Sequence, residues 1–199
     1  LSDAADHTRK PCIIIVAAPS GSGKSSLAAR LMAVLPQIRF SVSATTRAPR
    51  GDEKDGKAYH FLSTEVFREA IAGGRLLEYE EVYPGRYYGT LRSEVERSSA
   101  QHPVLLDVDV VGALNVKELY DDRCLAVFVK APSVEELEKR LRSRGTDEEA
   151  AIRTRLEKAA YEMSFEGRFD RSIVNDDLDT AAAELIDLTR SFLAACSDG

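Results

Sequence analysis

Eight consecutive residues, Ala18-Pro19-Ser20-Gly21-Ser22-Gly23-Lys24-Ser25, have the types and spacing to cradle a phosphate chain. They fit the pattern G-x-x-x-x-G-K-[ST] everywhere except the first position, where Ala18 replaces Gly. In such a loop Gly21 and Gly23 let backbone N–H groups turn inward, with no Cβ between them and a phosphate oxygen. Lys24 can reach the outer phosphates of a nucleoside triphosphate, and the Ser25 hydroxyl can ligate the Mg²⁺ that accompanies them. Ser26 belongs to the helical pattern that follows, whose positive end faces the same anion. Ala18 costs little if its φ is negative and strains the loop entrance if φ is positive. The plainer alternative is a Gly/Ser-rich turn between a strand and a helix.

Further residues could meet a second anion. Arg47 and Arg50 lie three apart in a loop stiffened by Pro49, so two guanidinium forks can converge on one phosphate. Solvated loop arginines are the alternative. Tyr59 and Tyr88 offer hydroxyl donors on rings that can wall a pocket or pack in a core. Asp107 and Asp109 sit just past the apolar run Val104-Leu105-Leu106, and alternation puts both on one side. Ligands of open α/β sheets bind at that carboxyl end. Asp107 is assigned to the water shell of Mg²⁺, an ion that keeps several waters and takes few protein ligands. Helix capping by these aspartates is compatible with that role.

These groups must be positioned by regular elements. Apolar runs predict strands at 12–17, 103–108, 124–129 and 171–174, alternating with helices at 25–35, 112–119, 133–143 and 177–195. The run Leu125-Ala126-Val127-Phe128-Val129 has no polar face, as expected of a strand in a parallel sheet covered on both sides. The pattern is α/β, a parallel sheet flanked by helices. Residues 40–90 interrupt it with Phe40, Tyr59, Phe61, Phe67, Tyr79, Tyr83, Tyr87 and Tyr88 among glycines and alternating apolar positions. They predict a small, mostly β insertion with one helix near 64–72. A charged helical segment, 144–160, follows with Gly145 as a hinge. The domain expectation is a core of 11–39 and 91–199, an insertion of 40–90, and a lid of 144–160 within the core. Residues 1–10 are polar and expected to be disordered. Two mobile segments beside a phosphate loop can close over substrates and exclude water.

The 199 residues carry a formal charge of −6, from 27 basic and 33 acidic side chains. With a pI near 5.2, that balance argues against a general nucleic-acid or membrane binder, while leaving room for a local basic pocket. Cys12, Cys124 and Cys196 are an odd, widely separated set without C-x-x-C spacing. Cys12 and Cys124 lie in apolar runs and read as small buried hydrophobes, so a reducing, cytoplasmic setting is expected. No run has the length of a membrane-spanning helix, and residues 1–10 are too polar for a signal sequence.

Phe40-Ser41-Val42-Ser43-Ala44-Thr45-Thr46-Arg47-Ala48-Pro49-Arg50-Gly51-Asp52-Glu53, followed by Gly56-Lys57-Ala58-Tyr59-His60-Phe61, adds a second signature to the phosphate loop. Together they closely resemble the guanylate kinase family, with five blocks in the family's order between about residues 12 and 193. The resemblance implies a P-loop kinase fold with a GMP-binding insertion and a helical lid. It implies Mg²⁺-dependent transfer of the ATP γ-phosphoryl group to GMP, giving ADP and GDP. ATP phosphates would lie along residues 18–26, and the GMP phosphate would be held by Arg47, Arg50, Tyr59 and Tyr88. Glu53 matches a position near the GMP ribose and phosphate end.

Guanine presents an N1–H and an exocyclic amine, both donors, and the resemblance assigns Glu78 and Asp109 as their acceptors. A polar mismatch in a closed site would reject other bases. Ser43 and Thr90 would meet the remaining base edge. With Lys24, the lid arginines Arg140, Arg144 and Arg155 would bring positive charge to the moving phosphoryl group. Arg142 and Arg153 lack that match and read as solvated. Asn175 matches a position near the adenine. One departure is Val111 before Gly112, where the family usually has Gln. ATP and GMP are the implied partners, dGMP is a further acceptor to test, and neither nucleic acid nor membrane is implied.

Two rivals remain. A guanylate-kinase-like interaction module without catalysis would lack a working phosphate loop and lid arginines. A same-fold kinase of another small phosphorylated substrate, such as a ribose bisphosphate, would present no base for Glu78 and Thr90 to read.

Overall fold

The run Ile13–Ala17 forms β1, buried along its whole length. Its side chains alternate between two helical layers, as strand geometry requires. Ile14 and Val16 pack with Leu27 and Leu31 on one face, while Ile13, Ile15 and Ala17 pack with Val110, Ala113 and Val116 on the other. A computed structural model describes residues 11–99, 101–143 and 149–198. The segment 1–10, and with it the expectation of disorder there, lies outside the described residues, as do Arg144 and Gly145.

After the phosphate loop comes α1 (Lys24–Val34), and β2 (Arg39–Phe40) returns to the sheet edge. The core sheet continues with β7 (Val104–Leu106), β8 (Cys124–Lys130) and β9 (Arg171–Val174). All five strands are parallel, in the order β2-β7-β1-β8-β9. The helices α4 (Val110–Tyr120), α5 (Val134–Ser143), α6 (Glu149–Met163) and α7 (Leu178–Asp198) pack around it. Chain direction across the sheet reverses at β1, so the loop after β1 opens into the crevice where such sheets bind ligands.

The interruption forms a second sheet in the order β4-β3-β6-β5. It contains β3 (Ala44–Thr45), β4 (His60–Phe61), β5 (Leu76–Tyr83) and β6 (Arg86–Leu91), with α2 (Thr64–Ala72) packed on it. Ser63 caps α2 by accepting from the Val66 N–H, and Phe67 stacks on Tyr87 at 5.3 Å between centroids. That small core makes the insertion a separate packing unit. Its boundary differs from the expected one: Phe40 pairs with Leu105 in the core sheet, and the Ser41 N–H donates to the Leu105 carbonyl. Two residues made β2 too short to show a period.

Short α3 (Arg92–Glu96) leads out of the insertion. Its buried Glu94 accepts from Arg39 and from the Val42 N–H, tying the strands that enter and leave the second sheet.

Candidate active site

A cleft of about 460 Å³ separates the two sheets. The phosphate loop forms one wall, Asp107 to Asp109 the floor, and Ser43, Tyr59, Glu78 and Tyr88 the opposite wall. Helix α6 covers a third side with Arg155, Lys158 and Glu162.

The loop takes its shape from its glycines. Gly21 and Gly23 have φ of 96° and 91°, a region that other L-residues rarely enter. Neighbours also crowd both positions. A Cβ on Gly21 would lie 3.1 Å from Leu137 and Leu141 of α5, and one on Gly23 would collide with the Asn175 amide. Ala18 is under no such demand. Among the described residues Asp121 is the one non-glycine with positive φ, so the loop entrance is unstrained.

Asn175, matched by resemblance to the adenine end, sits buried behind the loop and does not line the cleft. Its side-chain amide donates to the Ser22 carbonyl at 2.8 Å. Its own carbonyl accepts from Arg140 at 3.0 Å, and Arg140 also reaches Glu136 at 3.2 Å. Asn175 therefore braces the loop at Ser22, and Arg140 in turn holds the Asn175 main chain.

Lys24 reaches across the cleft floor. Its ammonium pairs with Asp107 and lies 3.4 Å from the Val108 carbonyl. Ser25 and Asp107 are both exposed to the cleft. Among the described residues no group of three or more His, Cys, Asp or Glu side chains could hold a metal. The available donors, one hydroxyl and one carboxylate beside a phosphate site, fit an ion that keeps its waters and takes few protein ligands, as Mg²⁺ does.

On the acceptor side, buried Arg47 forms a two-pronged bridge to Glu53 at 2.7 and 2.9 Å. Its guanidinium lies 5.0 Å from the Tyr59 ring centroid and 5.7 Å from that of Phe61. The Arg50 N–H also donates to Glu53, at 2.8 Å. These contacts, the Arg47 pair first, hold the Glu53 carboxyl down at about 2. Glu53 thus orders the arginine loop, and neither it nor the two arginines line the cleft here. Tyr59 and Tyr88 do line it, ring edge to ring face at 6.0 Å.

Glu78 comes from β5 of the second sheet, and Asp109 from the turn between β7 and α4 of the core. Glu78 pairs with Thr90 across β5 and β6, and the buried Thr90 hydroxyl donates to its carboxylate at 2.7 Å. Burial pushes Glu78 up to about 7, with the Thr90 hydrogen bond opposing and Asp109 adding to the rise. Asp109 caps α4 by accepting from the Gly112 N–H at 2.6 Å. Ser43 completes this end of the cleft. Beside it the Ser41 hydroxyl is buried without a hydrogen-bond partner.

Three charged cleft residues escaped the sequence reading: Glu80, Lys158 and Glu162. Glu80 lies two residues beyond Glu78 on β5, so period-2 alternation could have found it. A hydrogen bond to Asp109 raises its pKa, and Lys158 lies 3.6 Å away. Lys158 and Glu162 follow Arg155 by three and seven residues, one helix face. Burial raises the Glu162 pKa, and its carboxylate lies 3.9 Å from Lys158.

A glycine-built phosphate loop facing a second recess of tyrosines and carboxylates, under a cationic helix, defines a P-loop phosphotransferase of the nucleoside monophosphate kinase class. The family model described as guanylate kinase matches residues 9–191. The guanylate kinase of Salinibacter ruber is 51% identical over 183 residues, covering 92% of this chain and 97% of the relative. That of Bacteroides fragilis is 49% identical over 182 residues, covering 91% and 89%. A crystal structure of guanylate kinase from Anaplasma phagocytophilum superposes with a TM-score of 0.71 at 32% identity, covering 92% of this chain and 86% of that one. The chain belongs to the guanylate kinase family.

Proposed function

We propose that this protein transfers the γ-phosphoryl group of ATP to GMP, giving ADP and GDP. The observation that carries this reading is one cleft holding Lys24 on the phosphate loop and Glu78, with its Thr90 partner, on the opposite sheet. ATP phosphates would lie along residues 18–26, where Lys24 can exchange its Asp107 contact for phosphate oxygens. Mg²⁺, held by Ser25 directly and Asp107 through water, would neutralise charge on the triphosphate.

The GMP phosphate would be clamped by Arg47, Arg50, Tyr59 and Tyr88. For Arg47 that means exchanging part of its bridge to Glu53 for the substrate. Glu78 and Asp109 would accept from N1–H and the exocyclic amine of guanine, with Ser43 and Thr90 at the remaining base edge. Arg155, with Arg140 and Arg144, would stabilise charge on the transferring group. No protein nucleophile is required, because the GMP phosphate is already anionic and the work is positioning and charge stabilisation.

Among the described residues no helix is long and apolar enough to cross a membrane. Three buried free thiols support the reducing, cytoplasmic setting that this reaction would have. A non-catalytic binding module is disfavoured by Lys24 and Arg155 on one cleft.

A coupled ADP-release assay with ATP and each of GMP, dGMP, AMP, CMP and UMP tests the assignment. Turnover with GMP well above the adenine and pyrimidine nucleotides is expected. Activity only with AMP or CMP would overturn it.

A further inference from the structure

Gly112 is the third residue of α4, and the reason it must be small differs from that of the phosphate loop's glycines. Its φ is not positive, so nothing in the backbone asks for glycine there. Glycine inside a helix is instead unfavourable relative to alanine. Space supplies the reason. A Cβ at this position would stand 2.9 Å from the Glu78 Oε2 and 3.3 Å from the Asp109 Oδ1. The same residue donates its N–H to Asp109 at 2.6 Å.

We propose that Gly112 is a specificity-determining positioning residue: its missing side chain lets the Glu78 and Asp109 carboxylates converge, and its N–H fixes the second of them. The proposal rests on the reading that these carboxylates recognise guanine. The atom nearest the absent Cβ is the far end of the Glu78 side chain, which can swing aside without moving the backbone. An alanine would therefore leave the fold intact and displace the base-reading carboxylate. A sub-ångström shift is enough to weaken contacts that demand close geometry. This separates Gly112 from Gly21 and Gly23, whose positive φ would make any substitution strain the chain.

The test is Gly112→Ala, assayed with GMP and with IMP, which is GMP without the 2-amino group. The expected result is a KM for GMP raised roughly 10-fold, a KM for ATP within about 2-fold, and an unlowered Tm. The preference for GMP over IMP should shrink several-fold, because the amine loses its aligned acceptors. A folded variant with unchanged GMP KM and unchanged preference would overturn the proposal. So would a lowered Tm with both KM values rising together, the mark of a packing role. Glu78→Gln run in parallel separates the two levels. If it alters the GMP-to-IMP preference while Gly112→Ala does not, this inference fails and the base-reading assignment stands. If neither variant alters it, the assignment itself fails.

Discussion

The phosphate loop is shaped by main chain, whereas the acceptor wall facing it is shaped by side chains gathered from distant strands. Residues 18–25 are contiguous, and Gly21 and Gly23 hold the loop open through positive φ and close packing on Leu141 and Asn175. The acceptor wall draws Glu78 and Tyr88 from strands of the second sheet, and Ser43, Tyr59 and Asp109 from separate connecting segments. Glu78 depends on the Thr90 hydroxyl, and Asp109 on the Gly112 N–H. A main-chain site binds a ligand that every nucleotide shares. A side-chain site can reject a ligand, because an unmatched buried carboxylate costs more than a missing contact gains.

Four substitutions or conditions would sharpen or break that contrast. Lys24→Ala removes the phosphate loop's ammonium group, and kcat should fall roughly 10³-fold while GMP affinity stays within a few-fold. Single-turnover rates and GMP titration would check this. Wild-type turnover would mean the loop is only a turn. Arg47→Ala should raise the GMP KM by about 10- to 100-fold, since one fork of a charge-assisted clamp is lost. Steady-state kinetics at fixed ATP would measure it, and an unchanged KM would return Arg47 to a purely structural bridge with Glu53.

The third concerns pH. Burial raises Glu78 to about 7 from an ordinary 4.5, and in the proposed reading its ionised form is the one that would accept from guanine. The GMP KM should therefore rise several-fold as pH falls from 8 to 6. AMP carries the same phosphate titration without using that acceptor, so its KM serves as the control. Linkage fixes the accompanying stability change. The folded chain binds this proton more tightly than the unfolded chain, so the stabilisation is complete below about 4.5 and is lost as pH rises through about 7. Glu78→Gln should gain Tm relative to wild type between pH 5 and 8, read by thermal melts without ligand. Ala18→Gly should do the least. Ala18 already sits at ordinary φ, so kcat/KM for ATP should stay within about 2-fold.

The same contrast explains what could be read from sequence. Phosphate-loop residues are adjacent, so pattern and context sufficed, and α2 falls at 64–72 as its periodicity predicts. The conditional cost of Ala18 needed only a φ to resolve. Side-chain pairings were harder, because they join residues far apart in sequence. Nothing in the local pattern shows that Asn175 lies against Ser22, and the loop that folds Glu53 back onto nearby Arg47 has no periodicity to read. Glu80, Lys158 and Glu162 did leave a trace, in strand and helix spacing from Glu78 and Arg155, but charged residues at such spacings are ordinary on solvated faces. Glu94 left none, since its role as a tie between Arg39 and Val42 exists only once β2 reaches the sheet edge.

If side chains of the second sheet read the base, Glu78→Gln shows it most directly. The amide nearly preserves shape but places an NH₂ group where guanine offers donors, and removes the charge that strengthens the contact. Measuring kcat/KM for GMP and AMP in wild type and variant should show the GMP value falling about 10-fold or more. AMP, whose N1 is an acceptor, should lose much less. An unchanged GMP-to-AMP ratio would contradict the account.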